Sequence, residues 1–480
     1  MLSAPHPFSF ILFGASGNLA KLKIYPALYT LALKDRLPKD YAIVGYARTE
    51  MDEKEFRALV EESVRTDMIE VKEDVLKDFL SHVHYHSGQY DESKDYGALG
   101  RTLDGLEKGW KDPVRLAYLS IPPTAFESVI KNLNAGGVHK KGQGFRIIVE
   151  KPVGSNLKTF EEIKATLAED FAENEIYLLD HYLGKDAFRN IYYLRFANPI
   201  LERLLKNTLI HHVEIAASET LGLEGRAGYF EHTGTLRDMF QSHLVLMTSL
   251  LTMRLRDDEQ NFRDSRCSAL EQIYLPPAAD LSDVILQGQY TAGKIGREHV
   301  VGYTEEEEIS KDSRTNTFIA LKLMTRTSRW EGVPFYLKSG KRLDKKETRI
   351  SIQFQVPHAV GKGSSPNRLD IIIQGEAGMK LYLQTKIGGT EPEFRPLVME
   401  DPLVCFGDCL PEHALLLLEA IHGKQQWFLT FNEVRAAWRL IDPLQAYIAK
   451  SDTPLYHYAA GSKGPKEAED WIGRDDTRWF

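Results

Sequence analysis

Short strand signals alternate with amphipathic helical stretches through the first 180 residues. The strand signals lie at residues 8–13, 41–47, 83–87, 114–120, 145–149 and 176–179. Apolar residues at helical spacing fill the intervals, at residues 18–35, 52–66, 92–107, 123–135 and 157–172. Short apolar strands separated by amphipathic helices are typical of a parallel sheet with helices on both faces. The pattern therefore predicts an α/β domain of the doubly wound, Rossmann type.

A different pattern begins after about residue 185. Helical spacing predicts helices at residues 185–196, 234–253, 411–421 and 431–440. Several longer runs alternate polar and apolar residues, among them Thr348–Val356, Leu369–Gln374 and Lys380–Thr385. Such alternation predicts an antiparallel sheet with one polar face. We therefore expect a Rossmann domain over residues 1–180 and a larger α+β domain, with a mostly antiparallel sheet, over residues 181–480.

The composition is that of a folded chain rather than a disordered or fibrous one. Of 480 residues, 43% are hydrophobic and 27% are charged, which supplies enough apolar material for large cores. The 60 basic and 68 acidic residues leave a formal net charge of −8, so no overall field favours nucleic acid. No apolar run approaches 18 residues, and we therefore expect no transmembrane helix.

The cysteines and the first strand indicate a reducing, cytoplasmic location. Three cysteines in 480 residues exclude a disulfide framework, and Cys405 and Cys409 lack the C-x-x-C spacing of a redox pair. We expect all three to be ordinary thiols. The apolar run at residues 8–13 has no basic region before it and a glycine turn after it, so we interpret it as a strand and not as a signal peptide.

A glycine turn connects the first strand to the first helix, with the sequence Gly14-Ala15-Ser16-Gly17-Asn18-Leu19-Ala20. Small residues let the backbone approach a pyrophosphate, and the start of the helix offers free N–H groups. The spacing G-x-x-G-x-x-A differs from G-x-G-x-x-G, and alone it fits an ordinary strand–helix turn about as well. Arg48, at the end of the second strand, suits the 2′-phosphate of NADP or is a surface arginine, and Glu50 and Asp52 nearby leave NAD open.

Three further segments place charged side chains where a substrate could bind. Lys151 follows the strand at residues 145–149, and ligands bind outside the carboxyl ends of parallel strands. The run Asp180-His181-Tyr182-Leu183-Gly184-Lys185-Asp186 follows the next strand, where it could clamp a phosphate or where Asp180 could simply cap a helix. The basic stretch from Lys338 to Lys346 is either an anion site or a solvated loop.

His243 is the candidate for a catalytic base. It closes the run Gly234-Thr235-Leu236-Arg237-Asp238-Met239-Phe240-Gln241-Ser242-His243 and precedes three apolar residues. A lone histidine in a helix is more often structural than catalytic. A nearby carboxylate would reverse that preference, because it would fix the tautomer and support a general base.

Together these segments resemble the glucose-6-phosphate dehydrogenase family. The stretch D-H-Y-L-G-K at residues 180–185 is similar to the family's signature. Other motifs follow in the family's order: G-A-S-G-N-L-A, V-G-Y-A-R, Y-L-x-I-P-P at 118–123, V-E-K-P-V-G at 149–154, L-R-F-A-N at 194–198, E-G-R-A-G-Y-F at 224–230, R-D-M-F-Q-S-H, W-E-G-V-P-F at 330–335 and G-S-K-G-P at 461–465. The resemblance spans nearly the whole chain, and so many motifs in order are not expected by chance.

The resemblance implies oxidation of D-glucose 6-phosphate to 6-phospho-D-glucono-1,5-lactone, with hydride transfer from C1 to NADP+, as the first step of the oxidative pentose phosphate pathway. It implies an NADP-binding first domain, a second domain for substrate binding and oligomerisation, a homodimer or homotetramer, and no metal. It also implies that His243 takes the C1 hydroxyl proton and that Asp180 orients His243. The implied substrate contacts are Lys151, His181, Tyr182, Lys185, Glu219, Asp238, Lys341 and Lys346. The implied cofactor contacts are Gly14, Ala15, Ser16, Gly17, Asn18, Leu19, Lys23, Arg48, Tyr118 and Lys151.

Some positions depart from the family pattern. Asn18 stands where aspartate is usual, and Lys338 stands where many members have arginine. Ile372 and Gly375 break an R-x-Q-P pattern that helps some animal members form a second, structural NADP site. We therefore do not expect that second site in this chain.

Two other functions stay open on the sequence. Sugar or inositol dehydrogenases also carry E-K-P after a Rossmann domain, although their chains are usually shorter and lack D-H-Y-L-G-K in this order. A non-catalytic sensor of the NADP redox state would keep the glycine turn. Such a sensor would need neither Asp180 and His243 nor the substrate lysines.

Overall fold

Two compact units make up the fold of this chain. The computed structural model describes residues 6–68, 70–356, 365–391, 393–402 and 405–480. One unit comprises Met1–Lys185 and Asp408–Phe431, and the other comprises Asp186–Gly407 and Asn432–Phe480. A late segment of the chain therefore belongs to the first unit, although it follows most of the second in sequence.

The first unit is built on a parallel sheet of six strands. The strands are β1 (Phe8–Phe13), β2 (Tyr41–Ala47), β3 (Val83–Ser87), β4 (Val114–Leu119), β5 (Gly144–Glu150) and β6 (Ile176–Leu179). Their order is β3-β2-β1-β4-β5-β6, and every pair is parallel. The order reverses between β1 and β4, which is where doubly wound sheets bind ligands. The predicted Rossmann sheet is confirmed.

Most of the α-helices in both units lie mainly within the residue ranges where helices are predicted. They are α1 (Tyr25–Leu33), α2 (Glu53–Asp67), α3 (Glu73–Ser81), α4 (Ser93–Leu106), α5 (Phe126–Ala135), α6 (Leu157–Asp170), α7 (Asp186–Ala197), α8 (Pro199–Leu204), α9 (Ala227–Thr235), α10 (Val245–Thr252), α11 (Glu259–Glu271), α12 (Glu412–His422), α13 (Phe431–Ile448) and α14 (Glu467–Gly473). The exceptions are α3, α8, α9, α11 and α14. Local chemistry sets several of their ends. At α2, for example, the Asp52 carboxylate accepts from the Glu55 N–H at 2.8 Å, and the Glu55 carboxylate accepts from the Asp52 N–H at 2.8 Å.

The late segment of the first unit packs on β5 and β6. Arg146, on β5, donates to the carbonyls of Ala420 and Ile421 at 2.7 and 2.6 Å, which satisfies the carbonyl end of α12. The Leu429 N–H donates to the Leu178 carbonyl at 2.9 Å, so the chain after α12 bridges to β6. These bonds make α12 part of the first unit's structure.

The second unit contains a larger mixed sheet. Its strands are β7 (Ile210–Ser218), β8 (Ile273–Tyr274), β9 (Ile285–Thr291), β12 (Phe318–Thr325), β13 (Phe335–Gly340), β14 (Glu347–Phe354), β15 (Arg368–Gln374), β16 (Gly378–Lys386), β17 (Phe394–Pro402) and β18 (Leu455–Ala459). A separate hairpin joins β10 (Gly293–Ile295) to β11 (Glu298–Val300). Among the described strands of the larger sheet, only the pairs β7–β13 and β9–β18 are parallel. The predicted mostly antiparallel sheet is confirmed.

The predicted helix at residues 234–253 has a different form in the structure. Helix α9 starts earlier, at Ala227, and its chain breaks direction at Gly234, whose φ is +64°. A π-helical stretch, Leu236–Leu244, follows and passes into α10. Spacing alone did not show this break, because Gly234 and the apolar residues around it also fit an uninterrupted helix.

The cysteine expectation is wrong for two of the three residues. Cys405 and Cys409 are disulfide-bonded, whereas Cys267 is a half-buried thiol that takes no part in a disulfide. Both oxidised residues lie in the connection between β17 and α12, where a loop can bring side chains four positions apart together. Among the described residues no helix combines the length and the apolar character that crossing a bilayer requires.

Candidate active site

The glycine turn lies at the reversal point of the parallel sheet. The N–H of Gly14 donates to the Tyr46 carbonyl at 2.9 Å, and the N–H of Gly17 donates to the Gly14 carbonyl at 2.9 Å. Gly14 has a φ of +81°, and a Cβ placed there would lie 2.1 Å from the Ser120 carbonyl oxygen. The turn is thus pressed between the ends of β2 and β4, and only glycine fits at its first position.

A helical segment begins directly after this turn, at Asn18, and leads into α1. Its residues Ala20–Ile24 are π-helical, and Lys23 lies there with an exposed side chain. Free N–H groups at the start of a helix, next to a backbone that can be approached closely, suit a pyrophosphate. The residues Gly14 to Leu19 therefore fit a dinucleotide.

Arg48 lies beside this turn and next to an aromatic ring. It is exposed after β2, and its guanidinium carbon lies 5.5 Å from the centroid of the Tyr90 ring. Ser16 Oγ lies 3.3 Å from Thr49 Oγ1, which links the glycine turn to the end of β2. Burial raises the pKa of Tyr90, and the charge of Arg48 and the backbone of Gly14 oppose that rise. The Tyr90 ring could stack on an adenine, and the Arg48 guanidinium beside it suits a phosphate. Tyr90 was not identified from the sequence.

Tyr118 is held inside the first unit by a carboxylate. Its side chain is fully buried on β4, and its hydroxyl donates to Glu150 Oε2 at 3.1 Å. Burial raises the pKa of Tyr118 well above its ordinary value, and Glu150 raises it further, so the phenol stays a neutral donor. Lys151 follows Glu150, and the Lys151–Pro152 peptide bond is cis. Glu150 was missed as a site residue, although it lies within the E-K-P motif.

The signature segment forms a short 3₁₀ turn, His181–Gly184, at the end of β6. Asp180 is fully buried, and its Oδ1 accepts from the Tyr182 N–H at 2.9 Å. Asp180 is therefore a helix cap, which is one of the two interpretations that the sequence allows. Capping engages one carboxylate oxygen, and so it does not exclude a second role for the other.

The three candidate phosphate ligands lie together, two on this turn and Lys185 directly after it. The ring centroids of His181 and Tyr182 are 5.0 Å apart, and Lys185 Nζ lies 3.8 Å from the Tyr182 ring centroid. Gly184 allows the turn to pack tightly, because a Cβ there would lie 2.3 Å from the Glu412 carbonyl oxygen on α12. Helix α12 therefore packs directly against the turn and supports it.

In the second unit, Asp238 and His243 share the π-helical stretch Leu236–Leu244. His243 is only 2% exposed, and Asp238 is half-buried. Burial raises the pKa of Tyr229 to about 12, and the charge of Asp238 adds to that rise. π-Helical turns are rare and occur often at functional sites.

The predicted contacts Glu219 and Lys341 form an ion pair. Lys341 Nζ lies 2.5 Å from Glu219 Oε2. They meet because β7 and β13 are parallel neighbours and each residue follows the end of its strand. Lys346 is exposed, and the ion pair of Lys341 with Glu219 does not include it. The structure thus brings Glu219 and Lys341 together and leaves Lys346 apart from that pair.

Comparison with known proteins gives one consistent result. Residues 11–190 match the family described as "Glucose-6-phosphate dehydrogenase, NAD binding domain", and residues 192–480 match "Glucose-6-phosphate dehydrogenase, C-terminal domain". The chain is 36% identical to a glucose-6-phosphate 1-dehydrogenase of Chlamydia pneumoniae, over 98% of this chain and 96% of that protein. It is 33% identical to that of Bacillus subtilis, over 98% and 97%.

A solved structure is also similar to this chain over its full length. It is described as glucose-6-phosphate dehydrogenase in complex with its substrate glucose-6-phosphate. The TM-score is 0.90 at 29% sequence identity, and 100% of both chains is covered.

Proposed function

Since the chain belongs to the glucose-6-phosphate dehydrogenase family, we propose that it oxidises D-glucose 6-phosphate at C1 with the residues described above. The product is 6-phospho-D-glucono-1,5-lactone, and the reaction is the first step of the oxidative pentose phosphate pathway. The observation that carries this proposal is the family match across both units of the chain. The sugar or inositol dehydrogenase and the non-catalytic sensor are disfavoured by the same match.

The chemistry at C1 needs a proton acceptor, and His243 is the proposed base. An imidazole can accept a proton near neutral pH. We assign Asp180 as the carboxylate that orients His243, in addition to its bond to the Tyr182 N–H. Bound NADP+ supplies the hydride acceptor. Removal of the hydroxyl proton by His243 lets the C1 oxygen form a carbonyl as the hydride leaves.

The phosphate of the sugar is assigned to His181, Tyr182 and Lys185. The close packing of Lys185 on the Tyr182 ring keeps a cation on this turn, and phosphate favours such a group. This end of the substrate is remote from C1, so its binding holds C1 in place for reaction. Lys151, Lys341 and Lys346 are the further proposed basic contacts, while Glu219 and Asp238 are assigned to sugar hydroxyls.

The proposed cofactor is NADP, with the pyrophosphate at the glycine turn and the 2′-phosphate at Arg48. Gly14 supports this assignment. A Cβ at this position would collide with the Ser120 carbonyl oxygen, so the turn forms only with glycine there. Lys23, Lys151 and Tyr118 are the remaining proposed contacts. Use of NAD as a second cofactor stays open, because Arg48 is assigned only to the 2′-phosphate, which NAD lacks.

Replacement of Arg48 by alanine should weaken NADP binding by about tenfold to a hundredfold, because a hydrogen bond to a charged group is lost. The affinity for NAD should change by less than about twofold. Fluorescence titration of each cofactor measures both values. Arg65→Ala is the matched control, since Arg65 is an exposed arginine of the same unit that pairs with Glu61 and Glu73. Equal losses for NADP and NAD would remove Arg48 from the 2′-phosphate site.

The direct test of function is nicotinamide absorbance on mixing the protein with glucose 6-phosphate and either cofactor. Reduction is expected with NADP and glucose 6-phosphate. Free glucose and myo-inositol are the comparison substrates, and a preference for either would support the sugar or inositol dehydrogenase instead. No reduction with any combination would leave the proposed activity without support.

Assembly and location are also proposals. A homodimer or homotetramer is supported by the edge strand β17, where Leu397, Val398 and Met399 are 41%, 45% and 56% exposed. Apolar side chains in a row on an edge strand suit pairing with a second copy. A cytoplasmic location follows from the proposed metabolic role, although the disulfide-bonded Cys405 and Cys409 do not add to its support.

A further inference from the structure

One buried histidine of the first unit is not used by the proposed function. His413 lies in the first turn of α12 and is 6% exposed. Its Nε2 is buried and makes no hydrogen bond within the described residues. A buried polar atom without a partner is unfavourable by about 1–3 kcal/mol. Buried polar atoms in native folds nearly always have a hydrogen-bond partner, and a carboxylate close to Nε2 is the group that can become one.

His413 stands between two groups of the proposed site. Its Nε2 lies 3.8 Å from Glu150 Oε1, while the other oxygen of Glu150 accepts from the Tyr118 hydroxyl. Its ring is nearly parallel to that of His181, at an angle of 8° and a centroid distance of 6.1 Å. Its other nitrogen, Nδ1, lies 3.9 Å from Glu412 Oε1 on its own helix. His413 therefore faces a cofactor-side carboxylate and a phosphate-side imidazole at once.

The distance to Glu150 is about 1 Å longer than an ordinary charge-assisted hydrogen bond. Bonds of this kind are often long in free enzymes and shorten only when the substrates are bound. A small rotation of either side chain would close the gap, and it would satisfy Nε2. Because α12 packs directly against the turn His181–Gly184, a bond from His413 to Glu150 would join that turn to the end of β5.

We propose that His413 is a positioning residue that couples the binding of the sugar phosphate to the binding of the cofactor. The bond from His413 Nε2 to Glu150 forms in the complex with both ligands. It fixes the positions of Glu150 and the adjoining Lys151 relative to His181. This inference rests on the proposed function, because it takes His181 as a phosphate ligand and Tyr118 and Lys151 as cofactor contacts.

The test measures the coupling itself. Glucose 6-phosphate is titrated by calorimetry into the free protein and into the protein saturated with NADPH, which cannot accept a hydride. In the wild-type protein NADPH should tighten the binding of glucose 6-phosphate. His413→Phe keeps a flat ring beside His181 but removes both nitrogens, and it should reduce this coupling by about tenfold. His413→Gln keeps an N–H donor and should restore part of it.

Three comparisons separate positioning from packing. His422→Phe, at the last residue of the same helix, should behave like the wild-type protein. Glu150→Gln should lower the coupling, and adding His413→Phe to it should cause little further loss. In steady-state assays His413→Phe should raise the KM for glucose 6-phosphate about tenfold and change kcat by less than about threefold.

The proposal is overturned by a His413→Phe protein whose coupling equals that of the wild type. If the stability and the two separate affinities of that protein fall while the coupling stays intact, His413 only packs. If His413→Phe does not fold, Glu150→Gln gives the same decision, because it changes the other partner of the proposed bond. A wild-type protein that binds NADPH but never glucose 6-phosphate would instead refute the proposed function.

Discussion

His243→Ala is expected to lower kcat by about 10²–10⁴-fold, which is the usual contribution of a general base. The KM for glucose 6-phosphate should change by less than about threefold, because the sugar phosphate is assigned to His181, Tyr182 and Lys185 on another element. Steady-state kinetics at saturating NADP+ measures both parameters. The side chain is only 2% exposed, so thermal unfolding should be recorded for the same protein.

A second histidine of the same unit provides the control for this result. His232 is exposed on α9, and His232→Ala should leave kcat and KM unchanged. His243→Asn keeps a polar side chain in the buried position, and it should lose activity as the alanine variant does while unfolding closer to the wild-type temperature. A variant that lost substrate binding but kept its turnover would contradict the role of His243 as the base.

Gly14→Ala is the second change with a large expected effect. An alanine at Gly14 would have to adopt a φ of +81°, and its Cβ would lie 2.1 Å from the Ser120 carbonyl oxygen. That oxygen belongs to the backbone after β4 and cannot move aside without distorting the sheet edge. We expect a loss of about 1–3 kcal/mol in the free energy of unfolding and a rise of more than about tenfold in the Kd for NADP.

A glycine in the same unit distinguishes local strain from a general glycine effect. Gly105 lies in α4, and a Cβ added to it would have no atom within 4 Å. Gly105→Ala should therefore stabilise the protein slightly and leave NADP binding unchanged. Urea unfolding and cofactor titration of both variants provide the comparison. Wild-type affinity in Gly14→Ala would show that the turn does not contact the cofactor.

The parallel sheet was predictable because each of its strands is short, apolar and followed by a helix. Those periodic signals are local, and burial on both faces requires them. The same reasoning placed Gly14, Arg48, Lys151 and Asp180 correctly after strand ends, since chain order alone puts them there. The family motifs then supplied roles that no local pattern carries.

Other features depend on contacts between distant residues and left no local signal. Strand β7 was missed, although it places Glu219 beside Lys341. The residues of α12 predict an ordinary amphipathic helix, and nothing in them shows that Arg146 binds its carbonyls or that His413 faces Glu150. The π-helical form of Leu236–Leu244 was equally hidden, because an α-helix has nearly the same apolar spacing.

The return of Asp408–Phe431 to the first unit bears on the order in which the chain folds during synthesis. Domains of large proteins usually fold from the amino terminus as they leave the ribosome. Here β6 and Arg146 emerge early, yet their partners Leu429, Ala420 and Ile421 are translated only after most of the second unit. Part of the surface of the nascent Rossmann sheet therefore stays uncovered until those residues have been synthesised.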